Sequence, residues 1–312
     1  MDIWLIGAGP HAEEHAKVLI AQGCDFLVIG RGEKSAKKFK EKLNVDVFVG
    51  GVDKALNELK KPDKAIVSVS FEELTPVCLS LIKSGIKSIL LEKPGGLSFQ
   101  EVYSINQNAE SEGASVFVAY SRRYYTSVIE AKRLINNEGG ATNLHFEFTE
   151  WPETIEPLGL PGEVLEKWVI ANSSHVIDLA FYLTGRPIEI KSYAQGGIDW
   201  HKTTSFVGCG VTDNGVSFTY NSNWDAPGRW SVEVSTLKNR YIFKPLEKLH
   251  VTPKGSVSVN LIDIDYSKDE MYKPGLYLQT EAFLNNNVSV LCTIREQLNN
   301  ISLYEKIAGY RK

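Results

Sequence analysis

A chain of 312 residues, 43% hydrophobic and 23% charged, can bury a sizeable core and divides most economically into two domains, which excludes disorder and collagen-like structure. Lys and Arg number 34 against 38 Asp and Glu, a formal net charge of -4, so the positive excess needed to bind a phosphate backbone is missing and nucleic acid is not an expected partner. No apolar run approaches the ~20 residues of a membrane span, Met1-Asp2 leads directly into Ile3 with no basic n-region, and Cys24, Cys78, Cys209 and Cys292 form no C-x-x-C pair, so a cytoplasmic, reduced chain without membrane, disulfide frame or metal cluster is expected.

Residues 3–6, 26–29, 45–49, 65–69, 88–91 and 116–120 are strand candidates separated by helical periodicity. Ala12, Ala16 and Leu19 share one stripe, Ala36, Phe39 and Leu43 a second, and Val77, Cys78, Leu81 and Ile82 a third. Gly23 and Gly85 follow helices as C-caps. Ser98 and Glu101 have capping-box spacing ahead of the stripe Val102, Ile105, Ala109. This alternation predicts a doubly wound parallel sheet of Rossmann type. Beyond residue 122 the pattern changes: a helix carries Val128, Ala131 and Ile135, Gly139-Gly140 ends it, and residues 143–148 alternate like a strand. From 188 to 259, β-rich runs recur between turn signals such as Asp213-Asn214-Gly215 and Pro253-Lys254-Gly255, with a helix around His175 ahead of them and helices near 280–285 and 296–307 after them. The expected fold is α/β: a dinucleotide-binding domain over 1–122 and a C-terminal α/β domain over 123–312 with an open, mostly antiparallel sheet. One face of that sheet packs on helices, and association of chains into a homo-oligomer covers the other.

Gly7-Ala8-Gly9-Pro10-His11-Ala12 follows the first strand and opens the first helix, where a G-x-G-x-x-G/A loop cradles a pyrophosphate. Gly7 permits the tight turn, Gly9 lets backbone approach phosphate, Ala12 keeps helix and sheet close, and the free N–H groups of the helix N-terminus face the anion. Pro10, His11 and Ser70 complete the expected rim. The acidic residue that accepts a ribose 2′-hydroxyl in NAD sites is absent after the second strand. Arg31 stands there, with Lys34 and Ser35 beyond it, so NADP is the expected cofactor and NAD the alternative.

Ser88-Ile89-Leu90-Leu91-Glu92-Lys93-Pro94 brings a charged pair to the carboxyl end of the fifth strand, where ligands bind in open α/β sheets. With the glycine loop, Tyr120-Ser121-Arg122-Arg123-Tyr124 after the sixth strand, and Ser174-His175-Val176-Ile177-Asp178-Leu179, it resembles the Gfo/Idh/MocA family of glucose-fructose oxidoreductases and inositol dehydrogenases. The resemblance implies nicotinamide-dependent oxidation or reduction of a sugar or polyol. It makes Glu92 and Lys93 neighbours of the cofactor, Lys93 the hydrogen-bond partner of the reacting hydroxyl across a cis Lys93-Pro94 bond, and His175 the proton acceptor facing the nicotinamide. It also implies that Tyr120 and Arg123 line the substrate pocket, with Trp168, Trp151, Glu150 and Asn172 near its mouth; Asp178, three positions after His175 on the helix, is placed either to orient it or to serve as a cap or interdomain salt bridge. One departure stands out: Ala171 occupies the position, four before the histidine, where many family members carry Asp. That departure keeps open a non-catalytic dinucleotide-binding sensor, and a reductase of a non-sugar carbonyl or imine is a further alternative.

Overall fold

Four consecutive buried apolar residues, Ile3-Trp4-Leu5-Ile6, form β1 (Ile3–Ile6), and their continuous rather than alternating hydrophobicity is that of a strand covered on both faces. In the computed structural model, which describes residues 1–311, β1 lies in the interior of a seven-stranded sheet. Its parallel neighbours are β2 (Phe26–Gly30), β3 (Val47–Val49), β4 (Lys64–Val67), β5 (Ser88–Glu92) and β6 (Ser115–Ala119), in the order β6-β5-β4-β1-β2-β3. The order reverses beside β1, which opens a crevice at the strands' carboxyl ends. Helices α1 (Pro10–Ala21), α2 (Glu33–Leu43), α3 (Gly51–Glu58), α4 (Phe71–Lys83) and α5 (Phe99–Glu112) make the crossovers. The third helix went unforeseen, since eight residues carry only Val52 and Ala55 as a buried stripe. The capping box at Ser98 and Glu101 is formed in both directions.

The chain falls into two compact units, Met1–Ser121 with Glu270–Ile301, and Arg122–Asp269 with the chain from Ser302 onward. The segment 270–301, expected in the second domain, lies in the first unit. Cys292–Thr293 forms a strand antiparallel to β6 at the sheet edge, and the helix Leu276–Leu284 packs on α1. Two residues are too few for alternation to reveal such a strand.

The second unit holds an eight-stranded sheet. Its strands β7 (Asn143–Glu147), β8 (Pro187–Gln195), β9 (Ser205–Thr212), β10 (Ser217–Asn223), β11 (Ser231–Ser235), β12 (Asn239–Phe243), β13 (His250–Pro253) and β14 (Asn260–Leu261) run in the order β14-β13-β12-β11-β7-β10-β9-β8, antiparallel except for β7 beside β10. Strict alternation in β10 sends Phe218 and Tyr220 inward, where they meet Phe146 and Phe181, and the helix Ser174–Thr184 packs on β7 and β11. Ile188, Tyr193 and Val207 of β8 and β9 remain exposed. Among the described residues no helix is long and apolar enough to cross a membrane.

Candidate functional site

Two glycines shape the turn after β1 for different reasons. Gly7 has φ +121°, and a Cβ on it would lie 1.9 Å from the Ser68 carbonyl oxygen, so no other residue fits. Gly7→Ala is expected to destabilise the unit by at least about 2 kcal/mol in chemical denaturation. Gly9 has ordinary extended backbone, and its Cβ would meet nothing within 4 Å. It faces open space, and a side chain there would fill a cradle.

That space is a cavity of about 720 Å³ bordered by Gly7, Gly9, Pro10, His11, Arg31, Ser35 and Ser70, all named from sequence. Gly50, Gly51, Ser68 and Glu73 also border it and were not foreseen. The volume suits a cofactor-sized ligand. Gly9 is the N-cap of α1 and supplies no side chain to the first turn, and Pro10 at N1 has no N–H to satisfy, so the amides that follow point at the cavity unclaimed by a capping side chain. This is a fit for a pyrophosphate. Ala12 is fully buried behind the turn.

At the other rim, Arg31 donates from Nη1 to Glu73 Oε1 at 2.5 Å, and the Ser35 hydroxyl donates to the Gly32 carbonyl at 2.9 Å. Arg31 is thus held over the cavity by a carboxylate, an exposed pairing worth about 0–1 kcal/mol and easily exchanged.

Glu92 and Lys93 stand outside the cavity lining. Glu92 Oε1 lies 2.9 Å from His15 Nε2, and its other oxygen accepts the Lys93 backbone N–H. Burial alone would raise the Glu92 carboxyl, but the hydrogen bond and charge of His15, with Lys273 and His11, carry it down to about 2. A depressed carboxylate contributes stability above its ordinary 4.5 that is lost as pH falls toward 2. The melting-temperature gap between the parent and Glu92→Gln is therefore expected to narrow across that interval. Lys273 Nζ reaches His11 Nδ1 at 2.7 Å. The Lys93-Pro94 bond is cis, Gln297 Nε2 donates to the Pro94 carbonyl at 2.7 Å, and Lys93 Nζ lies 5.3 Å from the Phe71 ring centroid.

In the second unit a π-helix, Val169–Ser173, runs into the helix of His175, a distortion often found at functional sites. Asn172 Nδ2 donates to Glu150 Oε1 at 3.1 Å, the Ser173 hydroxyl donates to the same oxygen at 2.8 Å, and Arg229 Nη1 reaches Oε2 at 3.3 Å. Burial raises the Glu150 carboxyl above its usual range against the pull of Ser173, Arg229 and Asn172. Ala171 leaves the π-turn without a carboxylate of its own, and Glu150 serves the two residues after it. His175 is buried with its ring 6.2 Å from that of Trp230.

Arg123, expected to grip substrate, is 3% exposed and donates through Nε and Nη2 to both oxygens of Asp178, at 2.8 and 2.5 Å. Asp178 thus forms a salt bridge with Arg123, one of the roles open to it from sequence. Tyr120 is buried with its hydroxyl accepting from Gln297 at 3.1 Å, and Trp168 is a core residue of the second unit. Arg229 and Trp230, missed from sequence, flank the Glu150 network. Their only signal is a cation beside a tryptophan after the Pro227-Gly228 turn.

Residues 1–120 match the family model described as "Oxidoreductase family, NAD-binding Rossmann fold", GFO_IDH_MocA. The match lies within the Rossmann part of the chain and covers 120 of its 312 residues. Solved structures extend the fold likeness over the whole chain. The UDP-N-acetylglucosamine 3-dehydrogenase GnnA from Acidithiobacillus ferrooxidans is 16% identical over 99% of this chain and 97% of that one, with a TM-score of 0.76. A levoglucosan dehydrogenase in complex with NADH is 13% identical over 99% and 96%, with a TM-score of 0.81. An oxidoreductase from Agrobacterium radiobacter, in complex with NAD+, L-tartaric acid and magnesium, is 12% identical over 100% and 97%, with a TM-score of 0.78. A search of curated protein sequences returned no match.

Proposed function

We propose that the protein is an NADP-preferring dehydrogenase or reductase acting on a secondary alcohol or ketone carbon of a sugar or sugar derivative. The observation that carries this reading is the cavity over the uncapped start of α1, where Gly9 leaves the space a pyrophosphate needs. Gly7, Gly9, Pro10 and His11 would hold the pyrophosphate, and Arg31 and Ser35 the ribose 2′-phosphate. The bound nicotinamide supplies the hydride acceptor or donor. Lys93, at the carboxyl end of β5, hydrogen-bonds the reacting oxygen, and His175 takes or returns the hydroxyl proton. The loop of Lys93 is suited to this because Gln297 and the packing of Gly95, whose Cβ would lie 2.9 Å from Val118, hold it in one conformation.

Preference for NADP follows from exchange of Glu73 for a phosphate on Arg31, whose fork matches a dianion better than one exposed carboxylate. Arg31→Asp is expected to reverse the ratio of NADP to NAD affinity, read by fluorescence titration of both reduced cofactors. Equal binding of the two by the parent contradicts the Arg31 assignment. The exposed Ile188, Tyr193 and Val207 support self-association through the open sheet, and the free cysteines suit a reducing, cytoplasmic setting. Turnover is tested by following reduced nicotinamide absorbance with a panel of free, phosphorylated and nucleotide-linked sugars.

A further inference from the structure

Two guanidinium groups crowd one indole in the second unit. Arg122 lies 4.8 Å and Arg229 4.6 Å from the Trp230 ring centroid, and Arg229 also lies 4.5 Å from the ring of Trp151. Their charge is incompletely answered. Arg229 shares Glu150 with Asn172 and Ser173. Arg122 has no ion-pair partner among the described residues: the carboxylates that feel it, Glu150 and Glu247, stand outside salt-bridge range, and its other neighbours are the Tyr125 and Trp230 rings. Arg122 Nε is buried with no hydrogen-bond partner, and so is Nε1 of Trp230, a side chain whose residue is only 8% exposed. Buried donors are normally satisfied, and a half-buried guanidinium walled by aromatic rings without an anion is costly. Buried donors left without acceptors beside two guanidinium groups are what a site built for an oxyanion leaves when that anion is elsewhere. The ring of His175 is 6.2 Å from that of Trp230, so such a site adjoins the imidazole assigned to proton transfer.

We propose that Arg122, Arg229 and Trp230 form the specificity pocket for an oxyanion on the substrate, a carboxylate or a phosphoryl group, so that the substrate is an acidic sugar derivative. This rests on the oxidoreductase reading given above. Arg122 supplies an unclaimed planar fork, Arg229 a second cation oriented by Glu150, and the indole a flat wall with one N–H.

The test compares D-glucose, D-glucuronate, glucose 6-phosphate and a UDP-linked glucose as probes of the holoenzyme, by turnover and by calorimetry. The acidic probes are expected to bind at least about 10-fold more tightly than glucose, and the better of glucuronate and the phosphates identifies the oxyanion. Arg122→Gln should raise the KM for the preferred acidic probe about 10- to 100-fold and leave NADP affinity unchanged, which also reports an intact fold. Arg122→Lys, which keeps the charge and loses the fork, should recover part of that loss. Saturable binding of an acidic probe that Arg122→Gln abolishes supports the pocket even without turnover, in which case the redox reading alone fails. Turnover of glucose with a KM equal to that of its acidic counterparts, or an unchanged KM in Arg122→Gln, overturns the pocket and leaves the redox reading standing.

Discussion

Alanine at position 93 is expected to lower kcat by about 100- to 10,000-fold, the loss that follows removal of a positioned proton-transfer group, with NADP affinity essentially unchanged. Lys93 extends from the carboxyl end of β5, outside the lining of the dinucleotide cavity, so its loss removes no support from the pyrophosphate cradle. The loop around it is held independently: Glu92 accepts the Lys93 backbone N–H, and Gln297 holds the Pro94 carbonyl. Truncating the side chain therefore removes an amine without freeing the backbone. Single-turnover kinetics with the preferred sugar checks this, and undiminished turnover removes Lys93 from the chemistry. His175→Ala should fall in the same direction. The double variant should fall by less than the product of the two single losses if both groups serve one proton.

The second large effect is on stability. Arg123 and Asp178 form a two-pronged pair with side chains 4% and 1% exposed, joining the residues after β6 to the helix Ser174–Thr184. Removing one partner breaks a buried two-pronged pair, so Asp178→Ala or Arg123→Ala should each cost about 3–5 kcal/mol in denaturant unfolding. Replacing both with apolar residues of similar volume should recover much of that loss, because desolvation of the pair offsets most of its attraction. If either single variant matches the parent in stability, the pair has no structural role. The same helix presents His175, so a partly destabilised variant should lose turnover through positioning as well.

What could be read from sequence depended on how local the signal was. The run Ile3-Trp4-Leu5-Ile6 followed by Gly7-Ala8-Gly9 fixes a strand, a turn and a helix within a dozen residues, and all six parallel strands stand within about two residues of expectation. The capping box at Ser98 and Glu101 was legible for the same reason. Long-range pairing was not. Arg123 was placed at the substrate pocket by its motif, and its pairing with a carboxylate 55 positions away on another helix was not legible. Tyr120 was placed by the same motif, and the hydrogen bond that its hydroxyl accepts from Gln297, 177 positions away, was equally hidden. Arg122 is half-buried with no carboxylate in salt-bridge range, and the aromatic wall that shields it comes from Tyr125 and the distant Trp230, a pairing no local pattern reveals. Arg31 borders the cavity, while Glu73, its partner from α4, lay beyond the reach of any motif.

The central claim, that a dinucleotide lies over the start of α1, is tested most directly by titrating NADPH into the parent and into Gly9→Asp under equilibrium conditions. Aspartate is a favoured N-cap, Gly9 has extended backbone, and a Cβ there meets nothing within 4 Å, so this variant should fold and hold α1 at least as firmly as the parent. Its carboxylate would sit in the cradle and repel the pyrophosphate. The account predicts one saturable NADPH site per chain in the parent and loss of about 100-fold or more in affinity in Gly9→Asp at unchanged melting temperature, as expected for an anion facing a displaced anion. Equal NADPH affinity in the two proteins, or no binding by the parent, would contradict it.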